Sequence, residues 1–160
     1  MTVKTTAGSR VFIGSSTAVG SGSPPFAYED DSYTEIGEIE NLGEFGDESN
    51  AVTFLSLAAA RVRKLKGARD AGTLALVCGR DPLDAGQQAL DAAEQTDFAY
   101  NFKVIPSDAP SADYADGVIY FSAIVMSRRN QFGGGDDVTK KAYSLAVDSA
   151  LEETAPAASP

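Results

Sequence analysis

Residues 73–104 read TLALVCGRDPLDAGQQALDAAEQTDFAYNFKV, and along them the apolar spacing changes twice. Thr73 to Cys78 is a short apolar run bounded by Gly72 and Gly79, as a buried strand is. Asp81-Pro82 then offers a helix N-cap followed by proline at the first helical position. The stripe Leu83, Gly86, Leu90 and Ala93 repeats at helical spacing, so a helix is predicted over 82–95. Its small residues, Ala85, Gly86, Ala89, Ala92 and Ala93, would let it lie close against a sheet. Phe98, Tyr100, Phe102 and Val104 alternate with Ala99, Asn101 and Lys103, the period of a strand with one packed face.

Working outward, Pro106 to Asp116 is dense in Pro, Asp and Ser and reads as a loop. Val118 to Met126 (VIYFSAIVM) is apolar at successive positions, so this strand should be covered on both sides. The run Gly133-Gly134-Gly135-Asp136-Asp137 breaks the chain. Val138 to Ser149 resumes with Tyr143, Leu145 and Val147 on one face. Upstream, Glu29 to Glu48 holds nine acids and no base. They interleave with Tyr33, Ile36, Ile39, Leu42 and Phe45, which suggests strands with one wet face, turned at Gly37, Gly43 and Gly46. Val52 to Leu57 is strand-like. After it come Arg61, Arg63, Lys64, Lys66 and Arg69, five of the thirteen bases of the chain within nine residues.

The first 28 residues, rich in Gly, Ser and Thr, read as a flexible arm with one apolar patch, Val11-Phe12-Ile13, able to dock on a neighbouring copy. Residues 29–150 form the expected folded domain, and 151–160 a second flexible tail. The fold class expected is mainly β with one α-helix, a sandwich or barrel with the helix covering one side.

The chain has 160 residues, 23 acidic and 13 basic side chains, and a formal net charge of -10. Such a molecule repels phosphate, which argues against a nucleic-acid reader. The basic cluster lacks the interleaved aromatics of a single-strand binder. Histidine is absent, which removes the commonest general base, the Ser-His-Asp triad and a usual zinc ligand. The single cysteine, Cys78, reads as a small buried hydrophobe. Gly133 to Gly135 lacks the GxxxxGK[ST] spacing of a phosphate loop, and the pairs Asp30-Asp31 and Asp136-Asp137 read as solvated loop acids. No catalytic, metal-binding or cofactor-binding set emerges, and a non-enzyme without cofactors is expected. No run of about 18 apolar residues is present to cross a membrane. MTVKTTAGSR lacks the apolar middle of a secretory signal, so synthesis in the cytoplasm is expected.

Segregated opposite charges, acids over 29–48 and bases over 61–69, favour head-to-tail contacts between copies, the kind that build rings or filaments. The candidate inter-subunit residues are Arg61, Arg63, Lys64, Lys66 and Arg69, with Val11, Phe12 and Ile13 of the arm.

The order YTEIGEIENLGEFGDESNAVTF, a long extended loop, CGRDPLDAGQQALDAAEQ, FAYNFKVIPSDA and VIYFSAIVMSRRNQFGGGDDVTKKAYSLAVDS resembles the tail tube (major tail) proteins of lambda-like siphophages over about residues 33–150. The resemblance implies a β-sandwich protomer, six of which close a ring whose inner wall is one continuous β-barrel. It implies stacked rings forming a virion tail tube for genome ejection, with DNA passing an acidic lumen unbound. Its partners would be further copies and the tape-measure, tail tip and tail terminator proteins. It also implies that the arm and the loop around Arg61 to Gly72 reach adjacent subunits. A tube protein of a contractile tail or type VI secretion system shares this architecture. A monomeric acidic binding module and a carboxylate-based hydrolase are the readings from other classes.

Overall fold

The computed structural model describes residues 3–16 and 25–160. In chain order the elements are β1 (Arg10–Ile13), α1 (Pro25–Glu29), β2 (Thr34–Ile36), β3 (Ile39–Asn41), β4 (Glu48–Ser56) and β5 (Arg61–Asp70). They continue with β6 (Thr73–Gly79), α2 (Ala85–Glu94), β7 (Ala99–Ile105), β8 (Val118–Gln131), β9 (Lys140–Val147) and β10 (Glu152–Thr154). The main sheet runs β2-β1-β7-β8-β9-β6-β3, with β10 beside the start of β8, while among the described residues β4 and β5 pair only with each other. Every pairing is antiparallel.

The sheet curls because its two end strands are neighbours in sequence. Only Gly37 and Glu38 separate β2 from β3, so its margins must meet. Glu38 takes a left-handed φ of 58° at this corner. The concave side holds Val11, Ile13, Ile36, Leu74, Leu76, Phe102, Phe121, Val125, Tyr143 and Leu145. Phe102 stacks on Phe121 with centroids 5.6 Å apart. Tyr143, Leu145 and Val147 are buried as their spacing predicts, and Cys78 is a fully buried core residue. Burial pushes the Cys78 thiol up to about 11, so it is no nucleophile at neutral pH.

Helix α2 fills the remaining side through Gly86, Leu90 and Ala93. It is shorter than the expected 82–95 and is capped by Asp84 in place of Asp81. The Asp84 carboxylate accepts from Gln87 N (2.9 Å) and from Gly37 N (3.1 Å), tying the helix start to the β2-β3 corner. Asp81 instead accepts from Leu83 N in a turn before the helix. Leu83, counted in the apolar stripe, is exposed for that reason. Gln87, also buried, donates to Gly37 O and Gly79 O and accepts from Asp81 N. One side chain thus bonds three part-buried backbone groups from three segments.

Two further expectations are corrected. Val11, Phe12 and Ile13 do not sit in an arm: they form β1, an internal strand between β2 and β7. Their burial of 0–9% exposure makes them part of this chain's own core. Residues 17–24 of the expected arm lie outside the described residues. The C-terminal residues are no free tail either, since β10 pairs with Val118 to Tyr120 and Ala158 bridges Tyr114.

Two carboxylates lock segments together. Asp91 of α2 accepts from Lys141 Nζ and Tyr143 OH, both at 2.7 Å, and faces Arg128 at 3.5 Å. Asp31 accepts from Ser15 N (2.8 Å) and Asn101 Nδ2 (2.9 Å). Burial raises both pKa values, but the bonds from Lys141 and Tyr143, and from Asn101, Ser15 and Ser32, outweigh it and hold each carboxyl below its ordinary 3.8. A depressed folded value stabilises fully above the unfolded value and loses that contribution as pH falls through the folded one. Urea midpoints should therefore show no loss from these groups between about pH 7 and 5, and a fall below about pH 4. Asp91→Asn should lower the midpoint at neutral pH and make the acid fall shallower; an unchanged acid slope would count against this assignment.

Candidate self-assembly surface

The sequence of β4 and β5 fits an extended hairpin. Val52, Thr53, Phe54 and Leu55 favour strand, the chain reverses over residues 57–60 with Ala60 at φ 48°, and Val62 and Leu65 return. The register pairs Val52 with Leu65, Thr53 with Lys64, Phe54 with Arg63, Leu55 with Val62 and Ser56 with Arg61. It shifts between Ser49 and Ala51, where Gly67 passes close by. A Cβ on Gly67 would lie 2.8 Å from Val52 Cγ2 and 3.2 Å from Asn50 O, so the bulge needs glycine there.

Opposed residues share a face and successive ones alternate. One face of the ribbon therefore carries Val52, Leu65 and Phe54 with Arg61 and Arg63. The other carries Leu55 and Val62 with Lys64 and Lys66. Among the described residues, none covers either face. Val52, Phe54, Leu55, Val62 and Leu65 are 49–61% exposed, and Leu57 at the tip is 91% exposed. Apolar groups on both sides of a projecting two-stranded ribbon mark an interaction surface, and such a ribbon is marginal in water by itself.

The basic cluster, read as a loop, is thus a strand. Arg61, Arg63, Lys64 and Lys66 project from the hairpin, while Arg69 at its root pairs with Asp47 of the same chain at 3.1 Å. The structure brings these five bases onto one element and separates them from Val11, Phe12 and Ile13, which are interior. Reading for charge alone missed the apolar half of the surface. The available signal was two stretches of similar length, 48–56 and 61–70, flanking Leu57-Ala58-Ala59-Ala60.

A shallow cleft of about 380 Å³ lies at the hairpin root, lined by Asp47, Arg69, Asp70, Ala71 and Val147 to Ala150. Among the described residues no three of His, Cys, Asp and Glu are placed to hold a metal ion.

No known family model matches the chain, and no curated protein matches it in sequence. Its fold does match solved structures. A component of the anti-feeding prophage baseplate aligns with a TM-score of 0.71 at 10% identity, covering 97% of each chain. A component of the sheath/tube terminator structure of the PVC extracellular contractile injection system aligns at 0.64 and 10% identity, over 96% of this chain and 97% of that one. The SPP1 tail tube aligns at 0.61 and 17% identity, over 92% of this chain and 76% of that one. The chain thus shares the mainly β fold of tube and terminator components of phage tails and contractile injection systems.

Proposed function

We propose that this chain is a structural protein of a phage-type tail tube, acting by self-assembly and carrying out no catalysis. The observation that carries the reading is the β4-β5 hairpin, whose two faces are both apolar and basic and are left uncovered by the described residues of its own chain. Copies of the chain form rings, six to a ring as in the lambda-like type the sequence resembles, and rings stack into a conduit for the genome. The likeness to components of contractile injection systems supports the contractile tube as the second reading, with the same assembly chemistry.

Electrostatics set the direction of assembly. Arg61, Arg63, Lys64 and Lys66 stand out from a molecule of net charge -10, so the surface they meet most favourably is the acidic remainder of another copy. The excess acid keeps the tube wall from gripping DNA phosphates. Tape-measure, tail tip and terminator proteins would meet the ends of such a tube.

The purified chain should form rings or tubes in negative-stain electron microscopy, and a sharp monomer at every concentration would refute the proposal. Arg61→Glu with Arg63→Glu and Lys64→Glu should leave the circular dichroism spectrum unchanged and abolish the assemblies. Undiminished tubes from that variant would remove the bases from the mechanism.

A further inference from the structure

The β4-β5 hairpin is graded along its length. Residues 49–69 hold five bases and no acid, which leaves 8 of the 13 bases against all 23 acids elsewhere, so a segment of formal charge +5 stands on a remainder of -15. Acids resume only at the root, at Asp47, Glu48 and Asp70, where Arg69 is paired with Asp47. Among the described residues, no carboxylate pairs with Arg61, Arg63, Lys64 or Lys66. The far end is apolar: Leu57, 91% exposed, leads into Ala58, Ala59 and Ala60, all exposed. Phe54, Leu55 and Val62 stand next behind the turn, on both faces of the ribbon.

Three chemistries could meet such a tip. Nucleic acid offers phosphates but no apolar layer for Leu57 and Leu55. A flat protein surface covers one face of a ribbon and leaves the other wet. An anionic bilayer offers both parts at once, since an apolar end sinks below the headgroups while Lys and Arg stems reach back to the phosphates. Distance settles whether the acidic body forbids this. From Ser56 back to Glu48 there are eight steps of about 3.3 Å, so the root acids stand about 26 Å behind the turn. With the tip sunk by about 5–10 Å they remain roughly two screening lengths off at physiological salt. Arg61, Arg63 and Lys64 lie within about 10 Å of the turn and feel the surface almost unscreened.

We propose that the hairpin tip docks on anionic lipid bilayers in copies whose hairpin no neighbour covers. Leu57 to Ala60, with Phe54, Leu55 and Val62, dip into the interface, and the four free bases meet the lipid phosphates and stop the insertion there. The tip lies in the surface and does not cross it. The proposal uses the exposure of the hairpin and does not require a tube.

Flotation tests it. Protein cleared of assemblies by ultracentrifugation is mixed with vesicles of phosphatidylcholine and phosphatidylglycerol in equal parts, or of phosphatidylcholine alone, and spun through a density gradient in which lipid-bound protein rises and tubes sink. The mixed vesicles should carry at least about ten times more protein than the neutral ones, and salt of about 1 M should release it. Arg61→Ser with Arg63→Ser should cut the floated fraction at least about tenfold. Phe54→Ser with Leu57→Ser, which keeps every base, should cut it comparably. Leu57→Cys carrying an environment-sensitive dye should brighten on the mixed vesicles, while Ala112→Cys on the body should not; the buried Cys78 stays in place. No flotation, equal flotation on neutral vesicles, or an undiminished serine variant would each overturn the docking. Should a serine variant misfold, the salt response and the dye on Leu57→Cys decide, and a silent dye overturns it. Tubes without vesicle binding would leave the tube reading intact and make a second copy the occupant of the hairpin. Vesicle binding by a chain that never assembles would overturn the tube reading and uphold the docking.

Discussion

Phe54→Asp combined with Leu55→Asp should give a protein that melts within about 2 °C of the parent and sediments as a monomer. The two residues sit next to each other on β4 and so point to opposite faces of the hairpin. Both are more than half exposed and neither belongs to the core, so the folded monomer loses almost nothing. Assembly loses a great deal. Covering each side chain by a neighbour would contribute on the order of 1 kcal/mol, and burying an unpaired carboxylate in its place costs several more. A penalty of at least about 3 kcal/mol at every contact lowers each association constant more than a hundredfold. Because a ring repeats the contact around its circumference, rings and tubes should vanish at any practical concentration. Analytical ultracentrifugation with parallel thermal melts checks both halves. A variant that unfolds, or one that still builds tubes, would show that the hairpin serves the monomer and not the assembly.

Local chemistry made parts of this molecule legible in its sequence. The α2 segment could be read because helical spacing and small residues point the same way. Tyr143, Leu145 and Val147 could be read because β9 presents a single packed face. The N-cap was misplaced since Asp81 and Asp84 are both plausible caps. What selects Asp84 is its second bond to Gly37 N, a residue forty-seven positions away. Strand β1 was hidden for a similar reason. Val11-Phe12-Ile13 is too short to announce a strand, and its partners lie at residues 34–36 and 102–104. Strand β5 was hidden by the opposite cause. Its residues are wet on both faces in the single chain, so the usual alternation of buried and exposed positions is absent. A strand exposed on both faces carries no alternation for a sequence reading to find.

Gly86→Ala should destabilise the monomer although alanine is the better helix former. A Cβ at this position would lie 2.2 Å from Glu35 O and 2.5 Å from Ile36 Cα, both backbone atoms of β2 that cannot swing aside. Relief requires α2 to lift off the sheet. Lifting stretches the bonds from Gln87 to Gly37 O and Gly79 O, and the Asp84 link to the β2-β3 corner. Overpacking of this type costs about 1–3 kcal/mol, and weakening buried hydrogen bonds adds to it. Against this, alanine in place of glycine within a helix gains only about 1 kcal/mol. The steric side wins, with a net loss of about 2 kcal/mol and a melting temperature lower by about 4–8 °C. Ala92→Lys, exposed on the same helix, should change stability by no more than about 0.5 kcal/mol and serves as the control. If Gly86→Ala proved neutral or stabilising, α2 could not be seated on β2 at the distance that closes the sheet upon itself.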